Sequence, residues 1–236
     1  MATQSQPSSS ATVVLVHGAW ADGSSWNEVI ARLQAEGIPV VSVQNSLSSL
    51  ADDVAAVHRA MELVDGPVVL VGHSWGGTVI TQAGVADRVR ALVYIAAFAP
   101  DRQQSTNALQ ASYPVPEYAA LLRVDSAGYL HFPADALPHY FAQDLPAENA
   151  QVLAATQGPI RASAFADEVS QAAWHDLPSW YLVTGNDRMI APALQREMAQ
   201  RIGARTTEVA ASHVPFASRP KETTAVILEA VAAVAR

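Results

Sequence analysis

The chain has 236 residues, of which half are hydrophobic and 15% are charged, and its formal net charge at pH 7 is −8. This composition is typical of a compact globular protein with a sizeable core, and it argues against a disordered chain. The acidic balance makes nucleic acid and anionic membranes poor partners, and the absence of Cys excludes disulfides, a thiolate nucleophile and Cys-ligated zinc.

Neither the N-terminal residues nor the apolar runs of the chain show a targeting or membrane signal. Residues 1–10 are polar and rich in Ser and Gln, without the charged and apolar regions of a signal peptide, so we predict a disordered N-terminal tail. The longest apolar run, Ala91 to Pro100, is too short to span a bilayer. We therefore expect a cytoplasmic protein.

Strand-like and helix-like runs alternate along most of the chain. Such alternation predicts right-handed βαβ crossovers and an α/β fold, with a mostly parallel central sheet of about six strands and helices on both faces. The predicted strands are 12–16, 38–43, 68–72, 91–96, 180–184 and 206–209, and the predicted helices are about 24–35, 49–64, 78–86, 192–202 and 222–234.

The alternation breaks in a segment that is rich in proline and aromatic residues. This composition predicts a small helical lid at 101–172, inserted into a core formed by 11–100 and 173–236. Because ligands of open α/β sheets bind at the carboxyl edge of the strands, the lid is a source of substrate contacts. The candidates for such contacts are Tyr129, His131 and Phe132 of the lid, together with Trp20 of the core.

The pattern Gly72-x-Ser74-x-Gly76 lies between a Val-rich strand and a helical run. Such a nucleophile elbow places a serine on a strained strand-to-helix turn and exposes its hydroxyl above the sheet. The two glycines suit the close approach of backbone segments in this turn. The alternative interpretation is a tight turn whose serine caps the helix.

A serine nucleophile needs a base, and the base needs an orienting acid. In elbow folds these follow the serine in the order acid, then histidine, each on a loop after a later strand. Asp187 and His213 meet this order, and we predict them as acid and base. Asp101, after the fourth strand, is the competing acid, and turn formation is the alternative interpretation of both aspartates.

The oxyanion of the reaction needs two preorganised N–H donors. The backbone amide of Trp75, directly after the nucleophile, is one candidate, and the amide of Ala19 in the loop after the first strand is the other. No pair of histidines has metal-ligand spacing, so we predict no metal site.

Five motifs together resemble the α/β-hydrolase superfamily. They are Val14–Trp20, Gly72–Gly77, Tyr94–Asp101, Trp180–Ile190 and Ser212–Phe216. They are similar, more narrowly, to the branch of plant methyl-esterases, hydroxynitrile lyases and bacterial esterases such as pyrethroid hydrolases. The resemblance implies the same roles for Ser74, Asp187, His213 and the amides of Ala19 and Trp75.

Two departures argue against lyase chemistry. Lyases of this branch resemble a pattern with Thr at Gly18 and Lys at Val214. We therefore predict a serine hydrolase that cleaves a small to medium apolar carboxylic ester through an acyl-enzyme, with no cofactor. A lactonase, an amidase, a C–C hydrolase or lyase, and a ligand-binding receptor remain the alternatives. The patterns do not predict the acyl group, the alcohol group or the oligomeric state.

Overall fold

The computed structural model describes residues 11–234, so the predicted tail at 1–10 lies outside the described residues. In chain order the strands are β1 (Thr12–Val16), β2 (Val40–Val43), β3 (Val68–His73), β4 (Val89–Ile95), β5 (Arg123–Val124), β6 (Tyr129–His131), β7 (Ile160–Arg161), β8 (Ser179–Thr184) and β9 (Arg205–Val209). The helices are α1 (Asn27–Ala35), α2 (Leu50–Glu62), α3 (Trp75–Ala83), α4 (Thr106–Gln110), α5 (Leu137–Tyr140), α6 (Ala147–Thr156), α7 (Pro192–Arg201), α8 (Pro215–Ser218) and α9 (Pro220–Val234). Short 3₁₀ turns lie at Gly23–Trp26, Glu117–Leu121, Ala162–Ala166 and Ala173–His175.

Six of the strands form one sheet in the order β2-β1-β3-β4-β8-β9, and every neighbouring pair in it is parallel. The central strands β1, β3 and β8 are buried along their whole length, whereas the edge strand β9 is partly exposed. This burial explains the continuous Val and Leu runs, since strands of a parallel sheet are covered on both faces. The predicted six-stranded parallel sheet is confirmed.

Helices cover both faces of the sheet. The chain moves from β1 to β2 in one direction across the sheet, and from β2 past β1 to β3 and on to β4 in the opposite direction. Because the crossovers are right-handed, α1 lies on one face of the sheet, and α2 and α3 lie on the other. In agreement, α1 packs against α9, and α2 packs against α3. Ser49 begins α2 as its N-cap, since its hydroxyl accepts a hydrogen bond from the Asp52 amide.

Helix α3 begins three residues earlier than the pattern predicts. Gly76 and Gly77 have low helix propensity and delay the predicted start, but tertiary packing requires them in the first turn. A Cβ on Gly76 would lie 2.3 Å from the Val16 carbonyl oxygen, and one on Gly77 would lie 2.2 Å from the Phe98 carbonyl oxygen. Only glycine lets α3 start directly after Ser74 against these two chain segments.

The segment between β4 and β8 contains the predicted lid at 101–172. Residues 101–172 hold α4, α5, α6 and two 3₁₀ turns, and they also form a small antiparallel sheet in the order β5-β6-β7. That sheet is not predicted from the pattern, because strands of two or three residues are too short to show a period. Among residues 11–234, no helix is both long and apolar enough to cross a membrane.

Candidate active site

Ser74 occupies the turn between β3 and α3 with a strained backbone. Its φ of 53° and ψ of −121° lie outside the regions that residues with a Cβ commonly adopt. Two backbone bonds hold the turn, since the Ser74 carbonyl oxygen accepts from the amides of Gly77 (3.0 Å) and Phe98 (3.1 Å). The surrounding structure therefore maintains the strain and presents Ser74 to the cavity described below.

Asp187 and His213 form a buried pair on the loops that follow β8 and β9. The Nδ1 atom of His213 lies 2.7 Å from Oδ2 of Asp187, and both side chains are almost completely buried. An ionised carboxylate only accepts, so Nδ1 carries the proton and Nε2 keeps its lone pair. This tautomer suits a general base.

The Asp187 carboxylate accepts four further hydrogen bonds. Oδ1 accepts from the amides of Met189 (2.7 Å) and Ile190 (3.0 Å), and Oδ2 accepts from Thr184 Oγ1 (2.9 Å) and Gln195 Nε2 (2.7 Å). These donors fix the orientation of the carboxylate. Gln195 is a fully buried residue that the motif analysis missed. It lies next to Leu194 and three residues before Met198, on the buried face of α7, and this position is the sequence signal that could have revealed it.

The loop that carries His213 is docked on His73, the residue before Ser74. The Nε2 atom of His73 lies 2.8 Å from the His213 carbonyl oxygen, and the two imidazole centroids are 4.6 Å apart. The side-chain hydrogen bonds of residues 11–234 include none between Ser74 and His213. Contacts of this kind commonly close only when substrate binds.

Two backbone amides next to Ser74 are available as donors. Trp75 is the first residue of α3, so its N–H has no acceptor within the helix, and the positive end of the helix dipole lies here. The loop of Ala19 approaches the elbow closely, since a Cβ on Gly18 would lie 2.6 Å from the Ser74 Cβ. Within residues 11–234, neither the Trp75 nor the Ala19 amide makes a backbone hydrogen bond.

His17 and His73 are neutral, buried residues that hold loops around the site. His17 Nε2 accepts from the Asn45 amide (2.9 Å), so its Nδ1 carries the proton and donates to the Gly18 carbonyl oxygen (2.9 Å). Burial lowers the pKa of the His17 imidazole. Burial, and then the nearby His213, hold the pKa of His73 well below its ordinary value.

A cavity of about 370 Å³ opens beside Ser74. The core contributes Ala19, Trp20, Ser74, Phe98, Met189 and Ile190 to its wall, and the insertion contributes the remainder, including Tyr118, Leu130 and Phe165. No Asp, Glu, Lys, Arg or His of the described residues lines it. The wall is therefore apolar apart from hydroxyl and amide groups.

Of the four predicted substrate contacts, only Trp20 lines this cavity. Side chains alternate along a strand, so in β6 the middle residue Leu130 lines the cavity whereas Tyr129 and His131 do not. His131 instead contacts Asp125, with 2.9 Å between Nε2 and Oδ2, and Phe132 is buried behind Trp20 with their ring centroids 5.4 Å apart. The prediction of contacts from Tyr129, His131 and Phe132 is not supported by this placement.

The competing acid Asp101 lies elsewhere. Its Oδ1 is 2.8 Å from Nε2 of His175, and both side chains are partly exposed. Hydrogen bonds from His175 and from the Arg102 amide outweigh the desolvation that would raise the pKa of Asp101, and the net shift is downward. Asp101 therefore forms a surface pair and does not contact His213.

Sequence reasoning also missed Asp53, a fully buried carboxylate on α2. Its position three residues after Leu50 and four before Val57 places it on the buried face of that helix. This spacing is the signal that would have revealed it. Among residues 11–234, no group of three or more His, Asp or Glu side chains is arranged to hold a metal ion.

Comparisons with known proteins agree with the fold. A carbendazim-hydrolysing esterase from Nocardioides sp. is 38% identical over 128 residues, a match that spans 47% of this chain and only 51% of that protein. Methylesterase 2 of Arabidopsis thaliana is 26% identical over 241 residues, covering 88% of this chain and 91% of that protein. The crystal structure of a pyrethroid hydrolase from Sphingobium faniae superposes with a TM-score of 0.81 at 20% identity, covering 94% of this chain and 98% of that one.

These relatives include a methylesterase and a pyrethroid hydrolase, so the resemblance expected from the five motifs is confirmed. Residues 13–226 match the alpha/beta hydrolase family as a whole. That match covers nearly the entire described chain, including the elbow and both loops of the buried pair. The chain belongs to the alpha/beta hydrolase family.

Proposed function

We propose that this protein is a serine esterase that cleaves small to medium, apolar carboxylic esters through an acyl-enzyme. Hydrolase activity on this fold is supported by the family and by esterases among the relatives. The observation that carries the finer proposal is the buried Asp187–His213 pair. The loop of His213 is held next to Ser74 by its contact with His73, the residue that precedes Ser74.

In this mechanism Ser74 Oγ attacks the ester carbonyl carbon while Nε2 of His213 takes the hydroxyl proton. Asp187 stabilises the imidazolium, and the amides of Ala19 and Trp75 donate to the tetrahedral oxyanion. His213 then gives the proton to the departing alcohol. Water, deprotonated by the same imidazole, hydrolyses the acyl-enzyme and restores the Ser74 hydroxyl.

The cavity supports an uncharged, apolar substrate. A charged acyl or alcohol group would lose its hydration there without meeting an opposite charge, because no Asp, Glu, Lys, Arg or His lines the wall. Its volume of about 370 Å³ fits the range of small-molecule sites.

The space around Gly18 is too small for the threonine that the lyase pattern has at this position. A Cβ at Gly18 would come within 2.6 Å of the Ser74 Cβ and 2.9 Å of the His73 carbonyl oxygen, so this backbone admits only glycine there. Position 214 is a fully buried valine, so no cation follows His213 to receive a cyanide leaving group.

The test is hydrolysis of p-nitrophenyl acetate and butyrate by the purified protein. We expect Ser74→Ala to lose at least about a thousandfold in kcat while it remains folded, since the nucleophile is gone. The exposed Ser24 offers a matched control, and Ser24→Ala should retain full activity. A fluorophosphonate should label Ser74 alone. Equal activity in Ser74→Ala contradicts the proposal, and turnover of lactones, amides or cyanohydrins in place of esters redirects it.

A further inference from the structure

Asp53 is a buried carboxylate that the mechanism above does not use. Its Oδ1 accepts from the Leu47 amide (2.9 Å) and from Ser46 Oγ (3.1 Å), and its Oδ2 accepts from the indole Nε1 of Trp75 (2.8 Å). The residue has no exposed surface. Its side-chain hydrogen bonds therefore join α2 to two other segments, the loop before α2 and the elbow helix α3.

No lysine or arginine among residues 11–234 forms an ion pair with this carboxylate. Burial raises the pKa of Asp53 above its ordinary value, and the hydrogen bonds from Trp75 and Leu47 offset only part of that rise. A carboxyl group in such a place opposes folding unless its hydrogen bonds are satisfied. Asp53 therefore contributes the geometry of its hydrogen bonds, which hold their donors in place.

The partner on the Oδ2 side is Trp75, the residue whose backbone amide the proposed mechanism assigns to the oxyanion. Trp75 carries both the indole that Asp53 holds and the backbone N–H next to the nucleophile. Its ring is fully buried and meets the edge of Phe165, with 5.7 Å between the centroids. Because ring and amide share one Cα, a fixed indole restricts the peptide plane between Ser74 and Trp75.

That peptide plane follows a strained residue. Ser74 keeps a φ of 53° only while its neighbours are held in place, and a strained turn relaxes when one of its supports is removed. Catalysis requires the donor to be aimed at the oxyanion before the reaction begins. A support for Trp75 therefore acts on the transition state and not on the binding of substrate.

We propose that Asp53 is a positioning residue that holds the Trp75 indole, and through it aims the Trp75 amide at the oxyanion. This inference rests on the proposed esterase function. Asp53 touches neither substrate nor the reacting atoms, since it does not line the cavity.

The first test is Asp53→Asn, which conserves volume. The Asn carboxamide has one oxygen. Because the Leu47 backbone amide cannot turn away, the oxygen stays at the Oδ1 position, and the NH₂ group faces the Trp75 indole, which loses its acceptor. We expect kcat for p-nitrophenyl butyrate to fall about 10- to 100-fold, less than for complete loss of an oxyanion donor, with KM within about threefold. Asp52→Asn is the matched control, because Asp52 is the exposed neighbour on the same helix, and it should leave kcat unchanged.

A double-mutant cycle tests whether the effect passes through the indole. Trp75→Phe removes the same hydrogen bond from the other side and keeps an aromatic ring, so kcat should also fall. The double variant should lose no more than Asp53→Asn alone, because both changes remove one contact. A loss equal to the product of the two single losses overturns the proposal. If Asp53→Asn does not fold, Trp75→Phe decides alone, and a kcat within twofold of the wild type refutes the inference.

A spectroscopic arm separates this inference from the proposed function. The five tryptophans can be labelled with ¹⁵N, which reports both indole and backbone amides, and Trp75→Phe assigns the Trp75 signals. We expect Asp53→Asn to shift the indole and the backbone amide of Trp75, and Asp52→Asn to shift neither. An unmoved Trp75 backbone amide overturns the positioning role even if the protein hydrolyses no ester. If the amide shifts while the wild type lacks esterase activity, only the proposed function fails.

Discussion

Replacement of Asp187 by Asn tests the acid of the proposed triad with almost no change in shape. Asp187 accepts five hydrogen bonds, two at Oδ1 from the Met189 and Ile190 amides and three at Oδ2. The backbone amides cannot turn away, so the Asn oxygen stays at the Oδ1 position and its NH₂ group replaces Oδ2. There it faces the Nδ1–H of His213.

Two N–H groups cannot share a hydrogen bond, so the imidazole must move its proton from Nδ1 to Nε2. In that tautomer His213 cannot accept the Ser74 proton. A wrong tautomer of this kind costs about 10⁴-fold in kcat, or about 5.4 kcal/mol in the activation free energy. Loss of hydrogen bonds to a charged group should also lower the free energy of unfolding by about 2 kcal/mol.

The assay is steady-state hydrolysis of p-nitrophenyl butyrate, with thermal unfolding as the measure of stability. KM should change little, because Asp187 does not line the cavity. The control is Asp101→Asn, which removes the charge of the competing acid but leaves a carboxamide oxygen to face its two partners, the partly exposed His175 and the Arg102 amide. That variant should keep its kcat within twofold.

A kcat for Asp187→Asn within tenfold of the wild type would refute the reasoning, because His213 would then be oriented by something else. A large loss in Asp101→Asn with an active Asp187→Asn would assign the role of the acid to Asp101.

Two further predictions concern the loops around the elbow. In Gly18→Ala the new Cβ would lie 2.6 Å from the Ser74 Cβ, so the loop of Ala19 must retreat from Ser74. If that loop supplies an oxyanion donor as proposed, kcat should fall about 100-fold or more in the same ester assay, and undiminished turnover would contradict the assignment. Stability should also fall as the pH drops below about 6.5, because burial lowers the pKa of His17 and His73 in the folded state and the unfolded chain then binds protons first. The slope should approach about 1.4 kcal/mol per pH unit for each imidazole, and urea titrations at several pH values would measure it, with His17→Gln as the variant that flattens the curve.

Local patterns in the sequence were sufficient for the architecture. Each central strand is covered on both faces, so its residues are continuously apolar and its position can be predicted without knowing its neighbours. The elbow is equally local, because the glycines at 72 and 76 and the serine between them lie within one turn of chain. The order of the serine, the acid and the histidine could be predicted because each follows a strand of the same sheet.

The predicted lid at 101–172 was less accessible to sequence analysis. Its small antiparallel sheet has strands of two or three residues, and the choice of Leu130 over Tyr129 and His131 as the cavity-lining residue depends on which face of β6 meets the core. Strand alternation predicts that the two faces differ but does not predict which one points inward.

The sequence by itself therefore determined the sheet, the helices that cover it and the elbow, because these depend on residues close together in the chain. It also determined the chain order of the candidate triad, because each member follows a strand that can be recognised locally. The tertiary structure alone decided which aspartate contacts His213, since Asp187 is 26 residues away and the competing Asp101 is equally acidic as a free side chain. It also decided that Asp53 contacts the Trp75 indole across 22 residues, because a buried carboxylate finds its donors only when two helices pack together.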